Sequence, residues 1–327
     1  MKKFTRALLI SLCVGSPLAL AQQPADKPAA TAPAVKAADP IKLLDAGAEP
    51  RHTLRYKATK GDTYGFEMKM KMSMAMKMGG NAMPSTAMPT MVMGGDVKVI
   101  DITPDGNTKL SFTYGQGRLE DTEGVMPQVV SAMEPVMSQL NGMSGEFVFT
   151  PRGEYVSGEF KIPEGMDPMA KQTIQGMSKS MEQYTVPLPA EPVGKGAKWE
   201  CARTQENNGI KMNATYTQQV IDLSDKDASL KTQIKGEAKD QQVQGMTIDS
   251  MILTGDGEQR IGFSRIIPDA KVNSGVAMTM DSPQGKMEMN MSVKMDMKST
   301  EAGKATAPAK EKPKATEPDK TKPAPKF

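Results

Sequence analysis

The chain has 327 residues, and its 41 Lys and Arg against 38 Asp and Glu give a formal net charge of +3. Lys2, Lys3 and Arg6 lie at the N-terminus, so the remainder is formally neutral and lacks the concentrated basic face that nucleic-acid binding requires. The single histidine and two cysteines leave few of the side chains that nucleophilic and metal-assisted enzymes use. We therefore expect a protein that is not an enzyme and does not bind nucleic acid.

A secretory signal peptide is predicted at the N-terminus. The basic residues precede a short apolar run, 7–14, and then the small residues Ala19 to Ala21, which is the order of a signal cleaved here after Ala21. The run is shorter than the roughly 20 apolar residues that a membrane helix needs, and no later run approaches that length. We expect a periplasmic or secreted protein without a transmembrane segment, and we assign Cys13 to the removed signal.

Composition divides the chain into four segments. They are the signal peptide at 1–21, an Ala/Pro-rich linker at 22–40, a β-rich domain at 41–299 and a Lys/Pro/Ala-rich tail at 300–327. The linker and tail have the composition of disordered segments. The β-rich domain is either one unit or two half-domains, 41–185 and 186–299. The lysines of the tail permit weak contact with anionic lipid or cell-wall polymer, and a solvated linker is the alternative.

Alternating apolar and polar residues dominate the body, which is the pattern of strands with one buried face. It is clearest from Met68 to Met78 and from Met287 to Met297. Turn residues at Pro104 to Asn107 and at Pro151 to Gly153 predict two hairpins. Further strands are predicted at 199–203, 210–223, 229–235, 247–254 and 259–266, which makes about ten strands.

Two segments change to a helical period. Apolar residues from Met126 to Leu140 follow helical spacing, although Pro135 weakens the helix. The second helix is predicted to begin with Asp167 as N-cap and Pro168 in its first turn, and its apolar stripe runs to Met181. The predicted fold is therefore α+β: a curved, half-barrel-like antiparallel sheet of about ten strands with two helices packed on its concave apolar face.

Two segments resemble a known family. The segment LPAEPVGKGAKW, Leu188 to Trp199, and the segment LRYKATKGDTYGFEMKM, Leu54 to Met70, are similar to an uncharacterised family of bacterial envelope proteins, a domain of unknown function with an LPxEPVGxGxxW segment. The resemblance implies an envelope location and a β-rich fold, and no activity comes with it. Relatives are often lipid-anchored, but here Leu12 precedes Cys13. The order of strands and helices is also similar to half-barrel carriers of lipids or lipid-modified proteins, which is an architectural analogy.

The residues most often used in catalysis favour structural roles. His52 lies near the first strand, where a surface position is expected. Cys201 follows Trp199 in a predicted strand, and a small buried apolar residue is expected there because no second cysteine remains after the signal is removed. No phosphate-binding loop, nucleophile elbow or metalloprotease motif is present.

Methionine is the unusual component, with 29 residues in the chain. Flexible thioethers repack around variable partners, so a methionine face suits a hydrophobic ligand such as a lipid, or a partner protein of the envelope. The residues predicted to line this cavity are Met68, Met70, Met72, Met74, Met76, Met287, Met289, Met291 and Met295.

Two alternatives remain open. Thioethers bind Cu(I), so the chain is alternatively a periplasmic copper-binding or copper-buffering protein with Met70, Met72, Met74, Met88 and Met91 as ligands. The near absence of histidine, the usual companion ligand, argues against that alternative, and no cofactor is predicted otherwise. The third possibility is a structural protein without a small ligand.

Overall fold

The fold is almost entirely β-sheet. The computed structural model describes residues 41–83, 86–162, 185–207, 209–243, 246–282 and 285–303. In that part of the chain, fifteen strands form one sheet in which the paired strands are antiparallel, and one helix accompanies them.

The strands and the helix are numbered in chain order. They are β1 (Ile41–Asp45), β2 (Thr63–Met78), β3 (Asn81–Ala82), β4 (Thr86–Ala87), β5 (Thr90–Ile102), β6 (Thr108–Tyr114), β7 (Arg118–Glu120), α1 (Pro127–Gln139), β8 (Ser144–Phe149), β9 (Tyr155–Phe160), β10 (Lys198–Asn207), β11 (Ile210–Leu223), β12 (Asp227–Val243), β13 (Met246–Gly262), β14 (Asp269–Ser282) and β15 (Gly285–Thr300).

The last described strand, β15, joins the two halves of the sheet. The main path runs β1-β10-β11-β12-β13-β14-β15-β2-β5-β6-β8-β9, with β3 and β4 paired to β2 and β7 paired to β5. Strands β10 to β15 are consecutive antiparallel neighbours, and β15 then pairs with β2 from Met287 opposite Met78 to Thr300 opposite Gly65. One continuous sheet thus contains both halves of the described chain.

The sheet is rolled into a trough. Trp199 on β10 donates its indole N–H to the Pro187 carbonyl at 2.9 Å, and the next residue, Leu188, donates its backbone N–H to the Arg152 carbonyl in the β8–β9 turn at 2.9 Å. Strands β10 and β8 are nine inter-strand spacings apart along the path, or roughly 43 Å in a flat sheet at about 4.8 Å per spacing. Two adjacent residues reach both strands only because the sheet curves.

A buried aromatic and aliphatic core fills the trough at this end. Phe112, Phe147, Phe149 and Trp199 are fully buried, and the Phe112 and Phe147 rings meet edge to face with centroids 5.4 Å apart. The segments before β2 and before β10 cross this core, since Tyr56 donates its hydroxyl to the Val186 carbonyl at 3.1 Å. We call the face that carries the core the concave face.

The prediction of an α+β fold with two helices and about ten strands is wrong. Strand 210–223 has the predicted bounds. The predicted strand 247–254 and the first part of 259–266, up to Gly262, belong to the single strand β13, because Gly255 and Gly257 break the side-chain pattern without breaking the ladder to β14. Strand β14 was not predicted. The first predicted helix is present as α1 with Pro135 inside it, and the second, 167–181, lies outside the described residues.

No helix in the described part of the chain is both long enough and apolar enough to cross a membrane.

Candidate functional site: the concave methionine face

Every second residue of each strand contributes to the concave face. On β2 these are the even-numbered residues to Met78, and on β15 the odd-numbered residues from Met287. Because the two strands pair without a register shift, Met291 lies opposite Met74 and Met295 lies opposite Met70. Adjacent strands lie about 4.8 Å apart, so methionines from both halves of the chain form one double row.

Methionines form a buried cluster at the end of the sheet remote from the aromatic core, called the end cluster. Its buried members are Ile248, Met278, Met280, Met287 and Met289, and the half-buried Met74, Met76, Met78, Met246 and Met251 pack against them together with Ile210 and Val243. One row crosses four neighbouring strands, since Met251 lies opposite Met278, Met278 opposite Met289, and Met289 opposite Met76.

A second cluster lies beneath α1 and is called the helix cluster. Its buried members are Met72, Met91 and Met137, and the half-buried residues packed against them are Met70, Met88, Met93, Leu119, Met133 and Val293. Residues four apart in a helix share one face, so Met133 and Met137 both point from α1 toward the sheet. The helix therefore covers the β2–β5 side of the concave face.

A half-buried apolar band remains between the aromatic core and the end cluster, called the open band. It consists of Leu253, Val272, Val276, Met291, Val293, Met295, Met70 and Met74, all on concave positions and none fully buried. At its margins the band shares Met70 and Val293 with the helix cluster and Met74 with the end cluster. Gly255 and Ser274 lie opposite each other within it. Because these two residues are small and the surrounding side chains are long, the band is deeper at this point.

The open band ends in polar groups on β10 and β11. The Arg203 guanidinium carbon lies 5.5 Å from the centre of the Tyr216 ring, and Gln205 donates its amide N–H to the Tyr216 hydroxyl at 2.6 Å. Burial raises the pKa of the Tyr216 hydroxyl above its usual value, so the hydroxyl is neutral and can both donate and accept a hydrogen bond. The concave face therefore changes from methionine on β15 and β2 to hydrogen-bonding groups and a cation on β10 and β11.

Ion pairs cover the outer face of β2, β5 and β7. The Glu120 carboxylate accepts hydrogen bonds from the Lys69 ammonium at 2.9 Å and from the Arg118 guanidinium at 3.0 Å. Arg118 also donates a hydrogen bond to the Glu67 carboxylate at 3.2 Å. The hydrogen bonds from Lys69 and then Arg118 hold the pKa of Glu120 below its usual value. Val92 is buried on this face, and the network screens it from water.

A shallow hollow of about 430 Å³ lies on the outer face of β12 to β15. Most of its lining comes from outward-facing residues, among them Lys235, Asp256, Asn273 and Lys294, which are all exposed. The hollow is therefore a surface depression on the outer side of the sheet, and the open-band residues Ser274 and Val293 also contribute to its lining.

The residues predicted to line a cavity share the concave face but differ in burial. Met68, Met72, Met287 and Met289 are buried, while Met70, Met74, Met76, Met291 and Met295 are half-buried. Only the second group is positioned to contact a bound molecule without rearrangement.

The predicted metal ligands divide between the two clusters. Met70, Met72, Met88 and Met91 belong to the helix cluster and Met74 to the end cluster. Sequence reasoning did not select Met133 and Met137, whose spacing of four was the available indication, or Met278 and Met280 on the unpredicted strand β14.

Polar metal ligands do not assemble elsewhere in the described ranges. No group of three or more His, Cys, Asp or Glu side chains that could hold a metal ion occurs there. His52 is exposed and pairs through its backbone with Val193, and Cys201 is buried on β10.

No protein-family model matches the chain, and no curated protein matches it. The resemblance to the envelope family of unknown function therefore stays a prediction.

Proposed function

We propose that this chain is a non-enzymatic envelope binding protein that holds an amphiphilic lipid on its concave face. The acyl chain lies along the open band, and the polar head lies at the β10–β11 end. Export through the predicted signal peptide is part of the proposal. Its support is the geometry of the concave face together with the composition of the N-terminus.

The observation that carries the proposal is the open band itself. Apolar side chains in a folded interior are normally packed to high density and removed from water, and the open band contains eight neighbouring apolar side chains that are only half-buried. A contiguous apolar surface of this kind marks a binding site more often than an ordinary surface does. A slender acyl chain matches it, because the surface offers no hydrogen-bonding side chain except Ser274.

The choice of an amphiphile over a plain hydrocarbon rests on the polar end. Tyr216 lies opposite Ile234, which lies opposite Gly255, so the polar groups continue the same row that crosses the open band. Arg203 stacks on Tyr216 at that end. A guanidinium and a neutral hydroxyl are suited to a carboxylate or phosphate head group.

Methionine suits this role better than the β-branched residues that usually fill strands. Val and Ile have stiff side chains, whereas Met has three rotatable bonds and a polarizable sulfur, so it adapts to chains of different length and unsaturation. Met74, Met291 and Met295 supply this adaptable contact in the open band.

A filling substitution with a matched control tests the proposal. Ser274→Phe places a ring in the open band, whereas Ser292→Phe places the same ring on the outer face of the neighbouring strand, where Ser292 is exposed. Delipidated protein is titrated with cis-parinaric acid, a fluorescent fatty acid. We expect the wild type and Ser292→Phe to bind it and Ser274→Phe to lose binding.

The head-group part is tested separately. Arg203→Gln is expected to weaken binding of oleate and to leave binding of oleyl alcohol, which carries no charge, unchanged. Equal binding of cis-parinaric acid by the two serine variants, or no binding by the wild type, contradicts the proposed lipid function.

A further inference from the structure

The helix cluster brings thioethers together from opposite directions. Met72 and Met91 project from the sheet, and Met137 projects from α1 above it. The three side chains are 6 %, 9 % and 4 % exposed. A sheet alone presents all of its ligands on one side of an ion, and the helix supplies the ligand from the other side.

The spacing of the three residues allows their sulfurs to meet. Met70 lies opposite Met91, and Met72 is two residues further along the same face of β2, about 7 Å away along the strand. A methionine side chain has enough rotatable bonds to cover half of that distance. Three sulfurs from β2, β5 and α1 can therefore converge on one point.

A glycine makes room for the helix methionine. A Cβ atom at Gly117 would lie 2.6 Å from the Met137 methyl carbon and 3.3 Å from the Met137 carbonyl oxygen. The loop between β6 and β7 therefore contacts Met137 closely, and only a residue without a side chain leaves that methyl where it is. The Met137 side chain therefore packs between this loop and the sheet.

We propose that Met72, Met91 and Met137 form a binding site for a soft monovalent cation, Cu(I) or its analogue Ag(I). Thioethers are soft ligands that select Cu(I) over the harder divalent ions. The half-buried Met88 and Met133 lie at the margin of the cluster, where they pass the ion inward from the surface. This site is independent of the proposed lipid function.

The end cluster provides the contrast. Its buried methionines, Met278, Met280, Met287 and Met289, all project from the adjacent strands β14 and β15. Their sulfurs lie on one side of one sheet, and the described residues place no helix over them. The two clusters are similar in composition and differ in geometry, so the end cluster is the matched control.

The first test counts tightly bound silver. Ag(I) is titrated in chloride-free buffer into residues 22–327 carrying Cys201→Ala, so that no thiol competes, and binding is followed by native mass spectrometry. We expect one tight equivalent, its loss in the variant Met72→Leu/Met91→Leu/Met137→Leu, and its retention in Met278→Leu/Met280→Leu/Met289→Leu.

Each outcome bears on the site. If the helix-cluster variant still binds one Ag(I) tightly, the proposal is overturned. If both variants lose the tightly bound Ag(I) to the same extent, the binding is not specific to the helix cluster and the proposal is also overturned. Leucine conserves volume, and circular dichroism verifies folding. If the triple variant does not fold, the single variant Met137→Leu is titrated instead and is expected to bind the first equivalent more weakly than the background protein.

The second test uses pH. Thioethers carry no proton, whereas cysteine and histidine must lose one to bind a metal. The affinity for the first Ag(I) is therefore expected to be the same at pH 5 and pH 8. A marked loss of affinity at pH 5 would assign the ion to another donor such as His52 and would overturn the thioether site.

Discussion

Replacing Trp199 by Phe should destabilise the protein by about 2–4 kcal/mol. The indole N–H donates to the Pro187 carbonyl at 2.9 Å, and both residues are buried. Phenylalanine lacks this donor and leaves the carbonyl unsatisfied, at a cost of about 1–3 kcal/mol. The smaller ring also leaves a space in a site with no exposed surface, which adds about 1 kcal/mol.

The effect is large because this hydrogen bond helps to hold the two flanks of the curved sheet together. The neighbouring Leu188 binds the Arg152 carbonyl in the β8–β9 turn, so loss of the Trp199 anchor loosens the contact between the two flanks of the sheet. Urea unfolding followed by circular dichroism measures the change, with an unchanged m-value indicating the same unfolding reaction.

The control for this experiment is Ile221→Ala on the adjacent strand β11. Ile221 is 47 % exposed, and surface substitutions usually change stability by less than about 0.5 kcal/mol. A loss in Trp199→Phe that is no larger than the loss in Ile221→Ala would refute the reasoning.

Three further predictions concern single residues. Burial raises the pKa of Tyr64 to about 12. Its contribution to the free energy of unfolding is therefore present below pH 10 and is lost as the pH rises toward 12, by about 1.4 kcal/mol per pH unit. In urea unfolding at alkaline pH, the free energy of unfolding of Tyr64→Phe should fall less steeply with pH than that of the wild type. The pKa of Glu120 is lowered, chiefly by the hydrogen bond from Lys69. Glu120→Gln should therefore lower the free energy of unfolding by about 1 kcal/mol near neutral pH, and should not change it once the pH falls below the folded-state pKa. An equal loss at pH 2 and pH 7 in urea unfolding would contradict this. Gly153 has φ +77°, and a Cβ there would lie 2.6 Å from the Tyr56 ring. Gly153→Ala should therefore lower the free energy of unfolding by about 2–4 kcal/mol. If Gly153→Ala unfolded at the same temperature as the wild type, the close contact with Tyr56 would be contradicted.

Local pattern was sufficient to predict individual strands and their faces. The alternation in β2 and β15 placed their methionines on one face because side chains of a strand point alternately to opposite sides. Strand β11 was predicted with the observed bounds for the same reason. Gly255 and Gly257 have no side chain to alternate, so the prediction divided β13 in two. The strand count was nevertheless too low, because β14 and the short strands β1, β3, β4 and β7 were not predicted.

Pairing between distant strands could not be predicted from local pattern. Met74 and Met291 are opposite each other although they are more than 200 residues apart in the chain, and alternation fixes a face without fixing the partner or register. The two methionine clusters depend on such pairings, and the helix cluster also requires the placement of Met137 above the sheet. The sequence therefore indicated a methionine face but not its division into two clusters and an open band.

A methyl NMR spectrum of the protein labelled with [methyl-¹³C]methionine, recorded during titration with oleate, tests lipid binding on the concave face most directly. We expect the methyl signals of Met74, Met291 and Met295 to shift, since these residues lie in the open band. Met83 and Met126 are 42 % and 53 % exposed and lie outside the band, so their signals should stay in place. Shifts confined to Met83 and Met126, or no shifts at saturating oleate, would contradict the account.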